Sequence, residues 1–401
     1  MKLRKSFYSL VTVLILLTSC AGSNIDKILK QGNVFQKNYK TTIPFKYVNG
    51  WIVIKVEINN KAYDFILDTG HSNLITTELA QELESDLLGS EEMYDINNTQ
   101  TLTNYTQINN VRIGNIDFQH TISSIVDLNS NMASVRCSKI FGLIGSNLMR
   151  KAVWDFDFQN QLITIVKEES QLDIPNRTID SRLYIGTAGI PSVTLRINGK
   201  KVLNNTVDFG NSGTNLLRLD YFEDQLDGNL IKKYVKGSGI AIGGFGRAEN
   251  KPFHHIVIDK FKIGDHSVNG LHTRVKSGAG NNLGLDFFKN YRVILNWNKK
   301  RMRMVEVTKA GDDSYETYGF STLYEDGGIY VNDIVETSSA FKFLKQNDKV
   351  LRINDTGFSN ITDDQYCAVH GSDLDAAAAI SITILRNGKE LTFELVKTKL
   401  L

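Results

Sequence analysis

From Thr42 to Val305 the apolar positions come in short runs that alternate with polar ones or stop at turn residues, the pattern of a β-rich chain. Trp51-Ile52-Val53-Ile54-Lys55-Val56-Glu57-Ile58 predicts a strand, Asn59-Asn60-Lys61 a turn, and Tyr63-Asp64-Phe65-Ile66-Leu67 a second strand. That hairpin runs into Asp68-Thr69-Gly70. The same order returns later: the apolar run Val193-Thr194-Leu195-Arg196-Ile197, the turn Asn198-Gly199-Lys200, and a strand ending at Thr206-Val207 before Asp208-Phe209-Gly210.

The offset between the copies holds across several landmarks, as a duplication requires. Asn59 and Asn198 are 139 positions apart, Asp68 and Asp208 are 140 apart, and Gly145 of Leu143-Ile144-Gly145 stands 139 before Gly284 of Asn282-Leu283-Gly284. A short helical stretch follows each glycine, at 147–151 and 286–290. Then Phe156-Asp157-Phe158 answers Leu295-Asn296-Trp297. Two lobes of one fold are expected, at 42–168 and 180–306. Between each Asp and its later glycine lies a candidate flap: the Asn- and Thr-rich stretch 94–106, and the glycine-rich stretch 237–246. The latter lacks the strand-turn-helix setting of a nucleotide-binding loop.

Outside this region the pattern changes. Lys2, Arg4 and Lys5 precede an apolar run from Phe7 to Leu17 that is too short to span a bilayer, which predicts a signal segment over 1–19. Its end, Leu17-Thr18-Ser19-Cys20, resembles the lipobox of bacterial lipoproteins. The resemblance implies an acylated Cys20, a tether over 20–41 and a place in the cell envelope, with the outer membrane favoured because no Asp follows the cysteine. After Val305, residues 307–314 are small and polar, a linker into a last unit at 315–401.

Charge and cysteine content narrow the partners. The 401 residues hold 46 Lys+Arg and 44 Asp+Glu, a net +2 that leaves no footprint for nucleic acid. Removal of 1–19 takes three positive charges and no negative ones, leaving about −1. Of three cysteines, Cys20 is assigned to the lipid, and Cys137 and Cys367 are expected to be unpaired, since nothing in the sequence argues that they meet. His254 and His255 point to opposite faces if they lie in a strand, so they predict no metal site, and no cofactor is implied.

Asp68-Thr69-Gly70-His71-Ser72, with Leu143-Ile144-Gly145 downstream, resembles the signature of the retropepsin and pepsin-like aspartic proteases. The resemblance implies a mainly β, two-lobed aspartic-protease barrel fold around a pseudo-twofold axis. It also implies catalytic Asp68 and Asp208 at loop tips, a peptide or protein substrate, and Thr69, Gly70, Ser72, Phe209, Gly210 and Ser212 as the supporting loops. Ser72 and Ser212 are expected to hydrogen-bond the outer carboxylate oxygens. Two carboxylates held a few Å apart cannot both ionise, so one serves as base while the other keeps a proton. His71 either tunes this pair or is a loop histidine. Asp355-Thr356-Gly357 matches the same three letters but has no hydrophobic-Gly partner downstream, and reads as a hairpin turn.

Lobe two departs from the family at Phe209, which stands where a hydroxyl residue would help lock the two catalytic loops. The dyad is therefore expected to be looser, and a catalytically impaired peptide-binding protein stays open as a second reading. Asn211 and Thr214 are candidates to compensate or simply to close the local turn. The order of pieces in 315–401 resembles a bacterial PDZ domain: strand, small-residue turn, short helix, Asp348 opening a strand, a helix near 373–378, and a closing hairpin at Arg386-Asn387-Gly388-Lys389. The resemblance implies that Tyr318, Gly319 and Phe320 form a loop for a peptide chain end.

Overall fold

The computed structural model describes residues 24–401 apart from 95–99, 228–230, 232, 244–245, 312–313 and 370–376. The signal segment, Cys20 and the tips of both candidate flaps lie outside the described residues. The chain is mainly β. Among the described residues no helix is long and apolar enough to cross a membrane.

Strand Trp51–Ile58 pairs antiparallel with Lys61–Asp68. Asn59 and Asn60 both take positive φ, 51° and 60°, which a two-residue hairpin needs if its twist is to match the strands, and which asparagine tolerates. The second copy repeats the device: Asn198 (φ 48°) and Gly199 (φ 87°) join Pro191–Ile197 to Lys200–Val207.

The lobes meet in a six-stranded sheet. At its centre Val153–Asp157 runs antiparallel to Tyr291–Asn296, with Trp154 opposite Leu295 and Phe156 opposite Val293. Leu162–Val166 and Arg301–Glu306 flank this pair, and Lys40–Pro44 and Ile179–Arg182 form the edges. One hydrophobic core runs through both lobes, from Ile54 and Phe118 to Leu285 and Val293. Charges at the junction are paired, as burial demands. Asp155 takes a two-pronged contact from Arg292 at 2.9 and 2.7 Å, and buried Glu169 accepts from Asn296 at 2.6 Å and Arg301 at 2.5 Å.

Two expectations need correction. The stretch read as a tether is packed from Asn24 onward: Ile25 and Leu29, four apart on one helical face, bury against Tyr105, Ile122 and Ala188. Cys137 and Cys367 are joined in a disulfide, with Cα atoms 5.0 Å apart. The two cysteines are 230 residues apart in sequence, and only folding brings helix Ala133–Cys137 against helix Asp363–Val369. Arg136 and Asp363 form an ion pair at 3.1 Å alongside.

The C-terminal unit has its own core, including Val331, Ile353, Ile382 and Leu395. Asp355-Thr356-Gly357 sits in a hairpin turn: Lys349–Ile353 pairs with Thr356–Gly357 through Asn354 at φ 49°. The helix expected near 373–378 falls mostly outside the described residues, and the helix seen in this part of the chain is Asp363–Val369. Strand Gly328–Val335 also pairs with the lobe-two hairpin strand Tyr234–Gly243, Gly237 opposite Val335 and Ser238 opposite Ile334. The unit is therefore tied to lobe two by a sheet and to lobe one by a disulfide.

Candidate active site

Each lobe presents its aspartate in the same way. In lobe one, Lys61–Asp68 pairs in parallel with Ile140–Gly145, placing Asp68 opposite Gly145. In lobe two, Val207 lies opposite Leu283 and the Asp208 N–H donates to Leu283 O at 3.1 Å. The glycine ending each motif is sterically required: a Cβ on Gly145 would lie 2.2 Å from the Ser72 carbonyl carbon, and one on Gly284 2.1 Å from Gly213 O. Two asparagines that sequence reasoning missed complete the device. Asn73 Oδ1 accepts from Gly145 N–H at 2.7 Å, and Asn215 Oδ1 from Gly284 N–H at 3.1 Å. An asparagine five residues after Asp68 and seven after Asp208 was the available signal.

The two carboxyls meet across the lobe boundary and interact electrostatically. Each rests on the opposite lobe's glycine: a Cβ on Gly70 would come within 2.7 Å of Asp208 Oδ1, and one on Gly210 within 2.3 Å of Asp68 Cγ. Asp68 Oδ1 accepts from Gly70 N–H at 2.7 Å, and the carboxyl also receives the His71 N–H. Asp208 Oδ1 accepts from the N–H groups of Gly210 and Asn211, both at 3.0 Å, and its Oδ2 from Asn282 Nδ2 at 2.9 Å. Burial raises both carboxyl pKa values, and the charge of Asp68 raises that of Asp208 further.

The serines are not among these donors. Ser72 is buried where its backbone packs on Gly145, and Ser212 lies against Gly50, so the expected serine bonds to the outer oxygens are replaced in lobe two by Asn282. Asn211 orients that amide, donating to Asn282 Oδ1 at 2.9 Å and to Thr214 O at 3.0 Å, while Thr214 Oγ1 donates to His272 O. Asn282 stands where lobe one has Leu143, a polar-for-apolar exchange visible in the repeat.

At Phe209 the structure keeps the Thr69 half of the lock and adds an aromatic contact. Thr69 Oγ1 donates to Val207 O at 2.5 Å and accepts from Phe209 N–H at 2.9 Å, so one half of the lock is complete. The Phe209 side chain is wholly buried, edge-on to Phe156 and Phe158 of lobe one at 4.8 and 5.4 Å and to Phe288 of its own lobe at 5.2 Å. Where the second hydroxyl of the lock would stand, the structure has an aromatic contact across the lobe boundary.

The dyad opens onto a cleft of about 970 Å³. Its walls include Trp51, whose indole N–H donates to Gly210 O at 3.1 Å, and Ile240 of the lobe-two hairpin. Asn332 and Asp333 of the C-terminal unit also line it. His71 is half-buried beside the dyad, Nδ1 2.7 Å from Ser72 O; burial lowers its pKa, against the pull of Asp208. His255 stacks on Tyr315 at 4.2 Å and meets His272 at 2.8 Å, and burial lowers their pKa values to about 2 and about 4, keeping both rings neutral. In the loop expected to take a chain end, Gly319 N–H donates to Thr317 Oγ1 at 3.0 Å, Tyr318 is buried with its hydroxyl on Ala377 O, and Phe320 opens a strand.

Residues 54–148 match a family model described as aspartyl protease. Among solved structures, the chain is similar to a retropepsin-like aspartic protease from Rickettsia conorii, with 21% identity over 34% of this chain and 95% of that one, TM-score 0.25. It is also similar to Basic 7S globulin from soybean, with 12% identity over 67% of this chain and 95% of that one, TM-score 0.38. No curated protein matches. The aspartyl-protease match thus covers lobe one from within its first hairpin to just beyond the Leu143-Ile144-Gly145 motif, and the internal repeat relates lobe two to it.

Proposed function

We propose that the chain is an aspartic endopeptidase, exported and lipid-anchored through Cys20, that hydrolyses peptide bonds with a water held between Asp68 and Asp208. The observation that carries the proposal is the meeting of two half-buried carboxyls, one from each lobe and each set against the other lobe's loop glycine, in the wall of one cleft. The charge of Asp68 favours a proton on Asp208, and the shared proton is placed there. Asp68 is the carboxylate and takes a proton from the water, whose oxygen bonds the peptide carbonyl carbon. Asp208 gives its proton to the carbonyl oxygen. The tetrahedral species then breaks its C–N bond as the dyad returns a proton to nitrogen. No metal or cofactor enters these steps.

The C-terminal unit is proposed as a PDZ-like domain that receives peptide. Strand Phe320–Glu325 pairs only with Gly328–Val335 among the described residues, which supports strand addition at its other edge. Asp68→Asn and Asp208→Asn are each expected to abolish cleavage of extended peptides while circular dichroism stays unchanged. Wild-type protein that leaves a broad peptide library intact from acid to neutral pH would overturn the enzymatic reading. Cys20→Ser is expected to move the protein from the membrane fraction to the soluble one.

A further inference from the structure

Strand Leu271–Lys276 alternates apolar and polar residues, so Leu271, Thr273 and Val275 enter the core while His272, Arg274 and Lys276 share the other face. That face is the cleft wall, and both cations line the cavity that holds the dyad. Lys276 is only 5% exposed, and its ammonium is buried without a hydrogen-bond partner, as is Arg274 Nε. Such a group ordinarily has an anion beside it. The anion present is Asp333, reaching in from the C-terminal unit to pair with Arg274 Nη2 at 3.3 Å. One carboxylate faces two cations there, and its Oδ1 is itself unpartnered. The Arg274 guanidinium is pinned over the Phe253 ring at 3.7 Å. Lys251 adds positive charge from the neighbouring strand, and neutral His255 and His272 add none. Burial, and then Arg274, lower the Lys276 pKa, as expected of a cation short of counter-charge.

We propose that Lys276 and Arg274, bounded by Asp333, form a substrate subsite that receives a carboxylate of the bound peptide, either an acidic side chain or the chain end. The inference rests on the peptidase reading for its choice of ligand. In it the C-terminal unit forms part of the cleft: Asn332, next to Asp333, accepts from Ile240 N–H at 3.0 Å and donates to Ile240 O at 2.9 Å, holding the pair of residues under the lobe-two hairpin.

The test uses the full exported chain and sets of otherwise identical peptides with Glu or Gln at each position, and with a free or amidated C-terminus. A preference of about tenfold or more in kcat/KM is expected for one carboxylate, the size of a charge-assisted hydrogen bond, and the peptide set that shows it identifies side chain or chain end. Lys276→Met should erase the preference and Lys276→Arg keep it. Asp333→Asn should strengthen it, because a competing carboxylate is removed. Equal cleavage of all sets, or a preference that survives Lys276→Met in a folded protein, overturns the subsite while leaving the peptidase intact. If nothing is cleaved, fluorescence anisotropy with the same peptides decides. Binding of acidic peptides that Lys276→Met weakens supports the subsite although the peptidase reading has failed, and charge-blind or absent binding overturns it.

Discussion

Replacing Phe209 with threonine would restore the hydroxyl that the aspartic-protease pattern carries at this position, and it is expected to harm the protein. Phe209 is fully buried against three phenylalanines. Truncating such a residue to alanine costs about 3–5 kcal/mol. Threonine gives back one methyl, about 0.8 kcal/mol, and a new hydrogen bond returns about 1 kcal/mol more. The net loss for Phe209→Thr is therefore about 1–3 kcal/mol, a fall of several degrees in melting temperature for a unit of this size. Urea unfolding of wild type and variant with the disulfide intact measures it, and Phe209→Leu, which largely keeps the volume, should lose less. Peptide cleavage at a temperature where both are folded should not improve, because Thr69 already bonds both Val207 O and Phe209 N–H. A variant as stable as wild type and more active would refute the idea that aromatic packing has replaced the second half of the lock.

Other predictions concern the dyad and the disulfide. Asp208 has its folded pKa raised by burial and by Asp68, so its contribution to stability is greatest below the ordinary carboxylate range and is lost as pH rises through the raised value. Asp208→Asn should therefore melt above wild type at neutral pH, by about 1.4 kcal/mol per unit of displacement, with the difference closing toward acid; a constant difference across pH would contradict this. Asn282→Ala removes a donor that favours charged Asp208, so the alkaline limb of the kcat/KM profile should move to higher pH by about one unit; a lower rate on an unmoved limb would make Asn282 merely structural. Cys137→Ser should cost about 2–5 kcal/mol under oxidising conditions and nothing under reductant; equal loss in both would place the effect in packing.

What was legible in the sequence was what repeats. The Asn turns, the Asp loops and the hydrophobic-Gly strands recur at nearly fixed spacing, and they are local, so one copy could be checked against the other. What escaped depends on meetings between distant segments. Asn282 is a landmark of the repeat, but its role on Asp208 depends on a loop 74 residues away. Phe209 looked like a loss because the motif lists only the hydroxyl; its gain lies in Phe156 and Phe158, which no spacing connects to it. The disulfide spans 230 residues and needs the C-terminal unit docked on lobe one. Ile25 and Leu29 sat in a polar composition that read as a tether, although two apolar residues one turn apart are enough to fix a short helix to a surface.

The pairing of the lobe-two hairpin with the C-terminal unit changes which parts of the molecule can move independently. Gly237 and Ser238 are interior to a continuous sheet, and Gln346 Nε2 and Glu336 N–H also hold this strand, at 2.9 and 2.7 Å. A hairpin so clamped cannot lift alone; raising it means levering a whole domain whose far side is anchored by a disulfide. The Gly89–Tyr94 and Gln100–Ile113 hairpin pairs with no strand of the C-terminal unit among the described residues and rests instead on the N-terminal helix through Tyr105 and Met93, so the two hairpins are held unequally. Amide hydrogen exchange separates the two edges: slow at 237–240 and fast at 89–94 is the expected profile, and equally fast exchange at both would mean that the clamp opens with every breath of the cleft.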